Sequence, residues 1–266
     1  TMAAGINLKM DNIKKFSDAI LDECKNYDID YPIIDVDAQL EENLILFKTL
    51  DCLECLKPFG NENPEPIFLV KSLTLKKITP IGNKNHLKLT FKGTNQIEMF
   101  YFNKSQEKFL YKEGEKVDVL ITIHSNIYRL KRSVSLYIVD MKFSDVDLDK
   151  VVECKKLYEK FKRNEVLEKS EIDLLLPNRE EFIRVYKFLK TVKWSRVDII
   201  SQKVFKDSIY CGKVYVILDV LENMKLIKLD YESDKFEVTI NKCNKKVNLQ
   251  ESDTLFSLNK MKGVNL

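Results

Sequence analysis

The sequence predicts an α+β multidomain chain: a partial α/β piece, then a five-stranded β-barrel, then a helical module closed by a β-hairpin. Charge is segregated along it. Residues 1–66 hold 6 Lys+Arg against 14 Asp+Glu, residues 67–145 hold 14 against 7, and residues 146–266 hold 24 against 20, so balances of −8, +7 and +4 lie behind the net +3. The hydrophobic period changes as well, from helical to alternating near residue 67 and back near residue 146. Three of the six prolines fall in one short run, LKPFGNENPEPIF at 56–68, at the first of these changes. The expected domains are therefore 1–66, 67–145 and 146–266.

Asp11–Asn26 reads as a helix capped by Asp11, with Ile13, Phe16, Ile20 and Cys24 at helical spacing. Tyr31–Val36 reads as a strand. Leu44–Leu56 reads as a second helix, stopped by Pro58 and Gly60. From residue 67 the period is two, and strands are expected at 68–79, 85–92, 96–103, 117–124 and 133–142. In HLKLTFK (86–92), Leu87, Leu89 and Phe91 should face a core, and His86, Lys88, Thr90 and Lys92 should face out. Residues 103–116 leave room for a short helix or loop between the third and fourth strands. Five short strands with that gap are the layout of an OB-fold, a Greek-key barrel that commonly binds single strands. Beyond it, helices are expected at Asp147–Arg163, Glu180–Thr191, Arg196–Phe205 and Gly212–Met224, then a hairpin of Leu226–Asp230 and Lys235–Ile240. Helices followed by a β-hairpin give the tail a winged-helix-like order.

With 44% hydrophobic residues the chain has the material for packed cores, and no apolar run reaches the ~18 residues of a membrane span. No secretory segment is evident, so the six scattered cysteines are expected as reduced thiols in a cytoplasmic protein. Cys52 and Cys55 form a C-x-x-C pair without a second pair or a histidine cluster, and read as core thiols. The two histidines, His86 and His124, both fall in barrel strands, and no D-H-H, H-E-x-x-H or G-x-x-x-x-G-K-[ST] run is present. With seven glycines, no loop is built to cradle phosphates. No catalytic or metal site is expected in these residues.

The 56–68 run closely resembles the joint between the DHHA1 and OB domains of the RecJ family of 5′→3′ single-strand-specific DNA exonucleases, written Pro-Phe/Tyr-Gly-x-x-Asn-Pro-x-Pro-x-Phe. Here it is Pro58, Phe59, Gly60, Asn63, Pro64, Pro66 and Phe68. Met2-Ala3-Ala4-Gly5 is similar to the A-A-G that follows a Gly-Gly-His motif in DHHA1 domains, and Ile138-x-Asp140 to the end of the family's OB domain. The tail resembles, less specifically, the extra C-terminal domain of RecJ proteins from Firmicutes. The resemblance implies a C-terminal piece of a nuclease: the end of DHHA1 with its linker, an OB domain and the extra domain. The DHH domain, with the family's Mn²⁺ or Mg²⁺ ligands, and the Gly-Gly-His are missing from it. The implied partner is single-stranded DNA, held by a monomer acting in repair and recombination. The alternative is a module that docks single-strand-binding protein or a helicase.

Single strands are held by cations for the backbone and flat side chains for the bases. On an OB-fold the second and third strands and the loops after strands one and four supply them. That selects Lys84, His86, Lys88 and Lys92 on the second strand, Phe100 or Tyr101 on the third, and Asn126, Tyr128, Arg129, Lys131 and Arg132 in the loop after the fourth. Phe100 and Tyr101 point opposite ways, so only one of them can be exposed, and Tyr101 is the one assigned to the site.

Overall fold

The computed structural model describes residues 5–24, 33–45, 47–93, 96–128, 130–241 and 247–263. It divides into two units, residues 1–35 and 36–266. In the first, a 3₁₀ turn at Met10–Asn12 leads into helix α1 (Ile13–Cys24), none of whose residues is buried. Ile13, Ile20 and Leu21 are exposed, so the apolar stripe of this helix meets no core among the described residues of the unit. The strand expected at Tyr31–Val36 is corrected. Residues 31 and 32 lie outside the described residues, 33–37 are irregular, and the strand of this region is β1 (Ala38–Gln39), two residues long. It is set by a partner distant in sequence, because Ala38 and Gln39 pair in parallel with Phe68 and Leu69.

The second unit begins with that strand and a short helix, α2 (Phe47–Glu54), which starts three residues later than its sequence pattern suggests. Leu50 is fully buried in the barrel core, whereas Cys52 and Cys55 are exposed. These two lie off the stripe that carries Leu50 and Leu53 inward, which corrects their reading as core thiols. The proline-rich run is shaped rather than slack. The Asn63 amide donates to the carbonyls of Leu56 and Pro58 at 2.8 and 2.9 Å, and Ile67 N–H donates to the Asp37 carboxylate at 2.8 Å.

Five strands follow: β2 (Phe68–Ile81), β3 (His86–Lys92), β4 (Ile97–Tyr101), β5 (Lys116–Tyr128) and β6 (Lys131–Phe143). The sheet order is β1-β2-β3-β4-β6-β5, and β2 also pairs with β5, so β2 to β6 close into a ring. The device is the length of β2. Its first half pairs with β5 and its second half with β3, with register breaks between Val70 and Leu73 and between Leu75 and Lys77. Bulges of this kind bend a strand from one partner to the next. At the first break Ser72 has φ +57, and its N–H donates to the buried Asp118 carboxylate at 2.9 Å. Leu87, Leu89 and Phe91 are fully buried as the alternation predicts, together with Met99, Val117, Val119 and Ile121. Thr90, expected outside, is buried as well. A 3₁₀ turn (Gln106–Lys108) fills the gap before β5.

The tail packs its own core around α3 (Leu148–Lys162), α4 (Lys169–Leu175), α5 (Arg179–Leu189), α6 (Val197–Val204) and α7 (Cys211–Asn223). Strands β7 (Trp194–Ser195), β8 (Ile227–Glu232) and β9 (Lys235–Ile240) form a small sheet in the order β7-β9-β8, and α8 (Asp253–Lys262) follows. Asp147 caps α3, and Asn178 with Glu181 forms a capping box on α5. The helices α4 and α8 are additions to the elements read from sequence.

Helix α7 is buried over most of its length, which suits packing rather than contact with a groove. A Cβ added at Gly212 would lie 2.8 Å from the Leu174 carbonyl oxygen and 3.1 Å from a Leu175 methyl. Gly212→Ala is therefore expected to force α7 off α4 and to destabilise the tail by about 1–3 kcal/mol. Urea unfolding measures this, and an unchanged midpoint would show that the helices separate freely.

Candidate nucleic-acid interface

The outer face of the barrel is built by period-two alternation. Where Leu87, Leu89, Met99, Tyr101, Leu136 and Ile138 turn inward, their neighbours His86, Lys88, Phe100, Phe102 and Tyr137 turn outward. Strand pairing then aligns these across the sheet. Lys88 lies opposite Phe100, Phe100 opposite Tyr137, and Tyr137 opposite Thr122, a row that crosses β3, β4, β6 and β5.

The aromatic members touch. The His86 ring meets Phe102 edge-on at 5.2 Å, Phe102 meets Tyr137 at 5.0 Å, and Tyr137 stacks on His124 at 4.2 Å. Phe100 lies beside Phe102 and Tyr137, 6.3 Å from each. Phe102 is 42% exposed, and the other four are half-buried. The result is a continuous aromatic strip with flat surface still open. His86 Nδ1 accepts the Asn103 N–H at 2.9 Å, His124 Nε2 is 2.8 Å from the Thr122 hydroxyl, and His124 Nδ1 is 3.4 Å from Glu65. Both rings are therefore held in position by their polar atoms. Among the described residues no group of His, Cys, Asp or Glu is arranged to hold a metal ion, so these residues do not fit a catalytic Mn²⁺ or Mg²⁺.

The residues chosen from sequence divide around this strip. His86 and Lys88 belong to it, with Lys88 paired to Glu98 at 3.0 Å. Lys92 is exposed at the far end of β3. Lys84 is exposed in the turn before β3 rather than on the strand, in a left-handed conformation with φ +67. Tyr101 is corrected: it is buried, its hydroxyl is 3.5 Å from Asp140, and burial with the Asp140 charge pushes its pKa up. It is a core residue, and Phe100 takes the outward phase. Asn126, Tyr128, Lys131 and Arg132 are not loop residues, because β5 and β6 continue to the turn with Tyr128 paired to Lys131. Asn126 and Lys131 are exposed on the side of His124 and Tyr137. Arg132 follows the core-facing phase of Val134 and Leu136, and its guanidinium is held by Asp51 of α2 at 2.6 Å. Arg129 lies outside the described residues.

Phe102, Tyr137 and His124 are absent from the sequence-based selection. Phe102 is legible in the sequence, two residues from Phe100 on the same phase. Tyr137 is not, because its place depends on the parallel β4–β6 pairing, which no local pattern reveals.

Residues 36–140 match the RecJ OB domain family. The single-stranded-DNA-specific exonuclease RecJ of Bacillus subtilis (strain 168) is 26% identical over 152 residues, covering 55% of this chain and 19% of that protein. The match thus spans about a fifth of that relative's length. Two crystal structures of RecJ from Thermus thermophilus, with Mn²⁺ and with Mg²⁺, show 18% and 19% identity and TM-scores of 0.42 and 0.41. They cover 52% and 51% of this chain and 20% and 21% of theirs. Residues 36–140 are thus similar to the RecJ OB domain, and about half of this chain is similar to part of a RecJ exonuclease.

Proposed function

We propose that this chain binds single-stranded DNA through the aromatic strip of its OB domain, as a monomeric strand-gripping part of a RecJ-like 5′→3′ exonuclease in repair and recombination. The observation that carries this reading is the contact series His86–Phe102–Tyr137–His124 beside Phe100 and Lys88. Phe102 offers the most exposed ring surface, an aromatic face tolerates any base, and base stacking is worth about 1–3 kcal/mol. Lys84 and Lys131 flank the strip in sequence and phase with exposed charge for phosphates, and Lys92 adds charge farther along β3. No described residue is assigned a role in cleavage, and Mn²⁺ or Mg²⁺ belongs in this reading to a DHH domain.

The same reading takes β2 to β6 as a five-stranded OB barrel, and residues 1–66 as the end of a DHHA1 domain with its linker. Residues 146–266 form the extra domain, in which the order α5-β7-α6-α7-β8-β9 supports a winged-helix-like core. Val166, Ile183 and Phe256 are exposed apolar side chains on this domain and favour a second role, the docking of a single-strand-binding protein or a helicase.

Fluorescence anisotropy with single-stranded and duplex oligonucleotides at two salt concentrations tests the main reading. The single strand is expected to bind more tightly, and log K to fall against log salt with a slope of about −0.7 per phosphate contacted. Equal affinity for duplex and single strand would overturn it.

A further inference from the structure

The aromatic strip ends at a cleft of about 370 Å³ between the barrel and the tail. Its barrel wall carries His86, Asn103 and Lys104, and its tail wall carries Glu232 and Lys235 of the β8–β9 hairpin, with Lys108 between. His86 belongs to both places, since its ring packs on Phe102 and also lines the cleft. A strand lying on Phe102 therefore has this opening directly beside it.

The cleft is built for an anion. Lys108 forms an ion pair with Glu232, so the carboxylate in the cleft is already neutralised. Lys108 and Lys235 lie over the Trp194 ring, 4.8 and 5.8 Å from its centre, and the indole holds both ammonium groups near the opening. Lys104 is exposed on the opposite wall, over Tyr101 at 5.2 Å. Partial burial and then the neighbouring Lys104 charge push the Lys235 pKa down. Lys104 and Lys235 both line the opening, with Glu232 and Asp234 offsetting part of their charge, and a bound anion would ease the remaining repulsion. Asn85, Asn103 and Ser105 add neutral polar groups suited to phosphate oxygens.

We infer that this cleft is a phosphodiester subsite, so that the tail's hairpin grips the backbone of the same strand whose bases stack on the barrel. This inference rests on the single-strand reading above. It gives the tail a part in DNA binding that leaves its buried helix α7 out of contact. A phosphodiester is favoured over an acidic peptide because the cleft is continuous with the aromatic strip.

The test uses the full chain and the double variant Lys104→Ala/Lys235→Ala, with Lys104→Glu as a second variant and Phe102→Ala as the comparison. Affinity for a single strand long enough to leave the strip is expected to fall several-fold in the double variant. The salt slope should become shallower by about 0.7 per lysine removed. Lys104 is exposed and Lys235 only half-buried over Trp194, so melting temperatures should fall little. Unaltered affinity and slope in both lysine variants, with Phe102→Ala still weakening binding, would overturn the subsite and leave the strip standing. Absence of single-strand binding by the wild-type chain would overturn both. An acidic peptide that binds through Lys104 and Lys235, in a chain whose DNA affinity ignores them, would assign the cleft to a protein partner and overturn the inference.

Discussion

Replacing Phe102 by Ala is expected to weaken single-strand binding by about 1–3 kcal/mol, which is roughly 5- to 150-fold in affinity. Phe102 contributes the most open surface of the strip, and it contacts His86, Phe100 and Tyr137 together. Its removal takes away one stacking face and loosens the three rings around it. Tyr137→Ala should act similarly, since Tyr137 joins the strip to His124. Because the two rings are in contact, their effects should not add. The salt slope separates this from a loss of charge: stacking variants should keep the wild-type slope, while lysine variants should flatten it. Tyr101→Phe is the control, since that hydroxyl is directed to Asp140 rather than into the strip and its loss should leave DNA affinity unchanged. If Phe102→Ala binds like the wild type at every salt concentration, the strip is not the binding face.

On the proposed reading, the strip suits unselective binding. Four of its rings, His86, Phe100, His124 and Tyr137, stand on strands fixed by ladder hydrogen bonds, and Phe102 sits in the turn that follows β4; Leu87, Leu89 and Met99 behind them are fully buried. The flat faces are therefore in place before a strand arrives, and little ordering entropy opposes binding. Lys88 is steadied by Glu98 at 3.0 Å, which fixes its position next to Phe100 and lowers the net charge of the face. The more open cations are Lys84, in the turn before β3, and Lys131, at the first position of β6, and on the proposed reading they would follow the phosphate backbone.

Much of this is legible in the sequence because alternation is a local signal. HLKLTFK assigns Leu87, Leu89 and Phe91 to the core from period two alone, and the five barrel strands fall close to their expected bounds. What the sequence hides is what depends on partners distant in the chain. Thr90 shares the phase of Lys88 yet is buried. Tyr101 reads as a stacking ring although its phase is that of Met99, because an aromatic on a strand of mixed pattern can be assigned to either face. The charge cluster around Arg132 reads as one patch, but on a strand neighbouring residues diverge. Lys131 turns to the aromatic side, and Arg132 turns to Asp51. The cleft has no sequence signal at all, since Lys104 and Lys235 are brought together only by the docking of the tail on the barrel. Helix α4 escapes notice because its seven residues are too few for a clear helical period.

Arg196→Met is expected to produce the largest loss of stability, about 3–5 kcal/mol, because it leaves a buried carboxylate without its partner. The Arg196 guanidinium donates to both oxygens of Asp198 at 2.6 and 2.8 Å and to Asp234 at 2.8 Å, and it lies 3.5 Å from the Tyr111 hydroxyl. Tyr111 is buried in the barrel core and donates to the Met141 carbonyl at 2.7 Å. One side chain thereby links Tyr111 of the barrel core, the start of α6 and the turn of the β8–β9 hairpin. Asp198 is only 5% exposed, so water cannot replace the guanidinium, and the melting temperature should fall on the order of 10 °C. Arg196→Met/Asp198→Leu should recover much of the loss, since an apolar pair of similar volume often matches a buried ion pair. The pH dependence gives an independent check. Burial raises the Asp234 carboxyl, but its bond to Arg196 outweighs this and holds the pKa below its ordinary 3.8. A lowered carboxyl stabilises fully above its unfolded value and loses that contribution as the pH falls through the folded one. The wild-type hairpin should therefore loosen only in acid, below about pH 4, and Arg196→Met should lose this part of the acid dependence. Melting curves of the three proteins between neutral pH and about pH 3 measure both effects. An Arg196→Met protein that melts with the wild type throughout would show that water, rather than the guanidinium, satisfies Asp198.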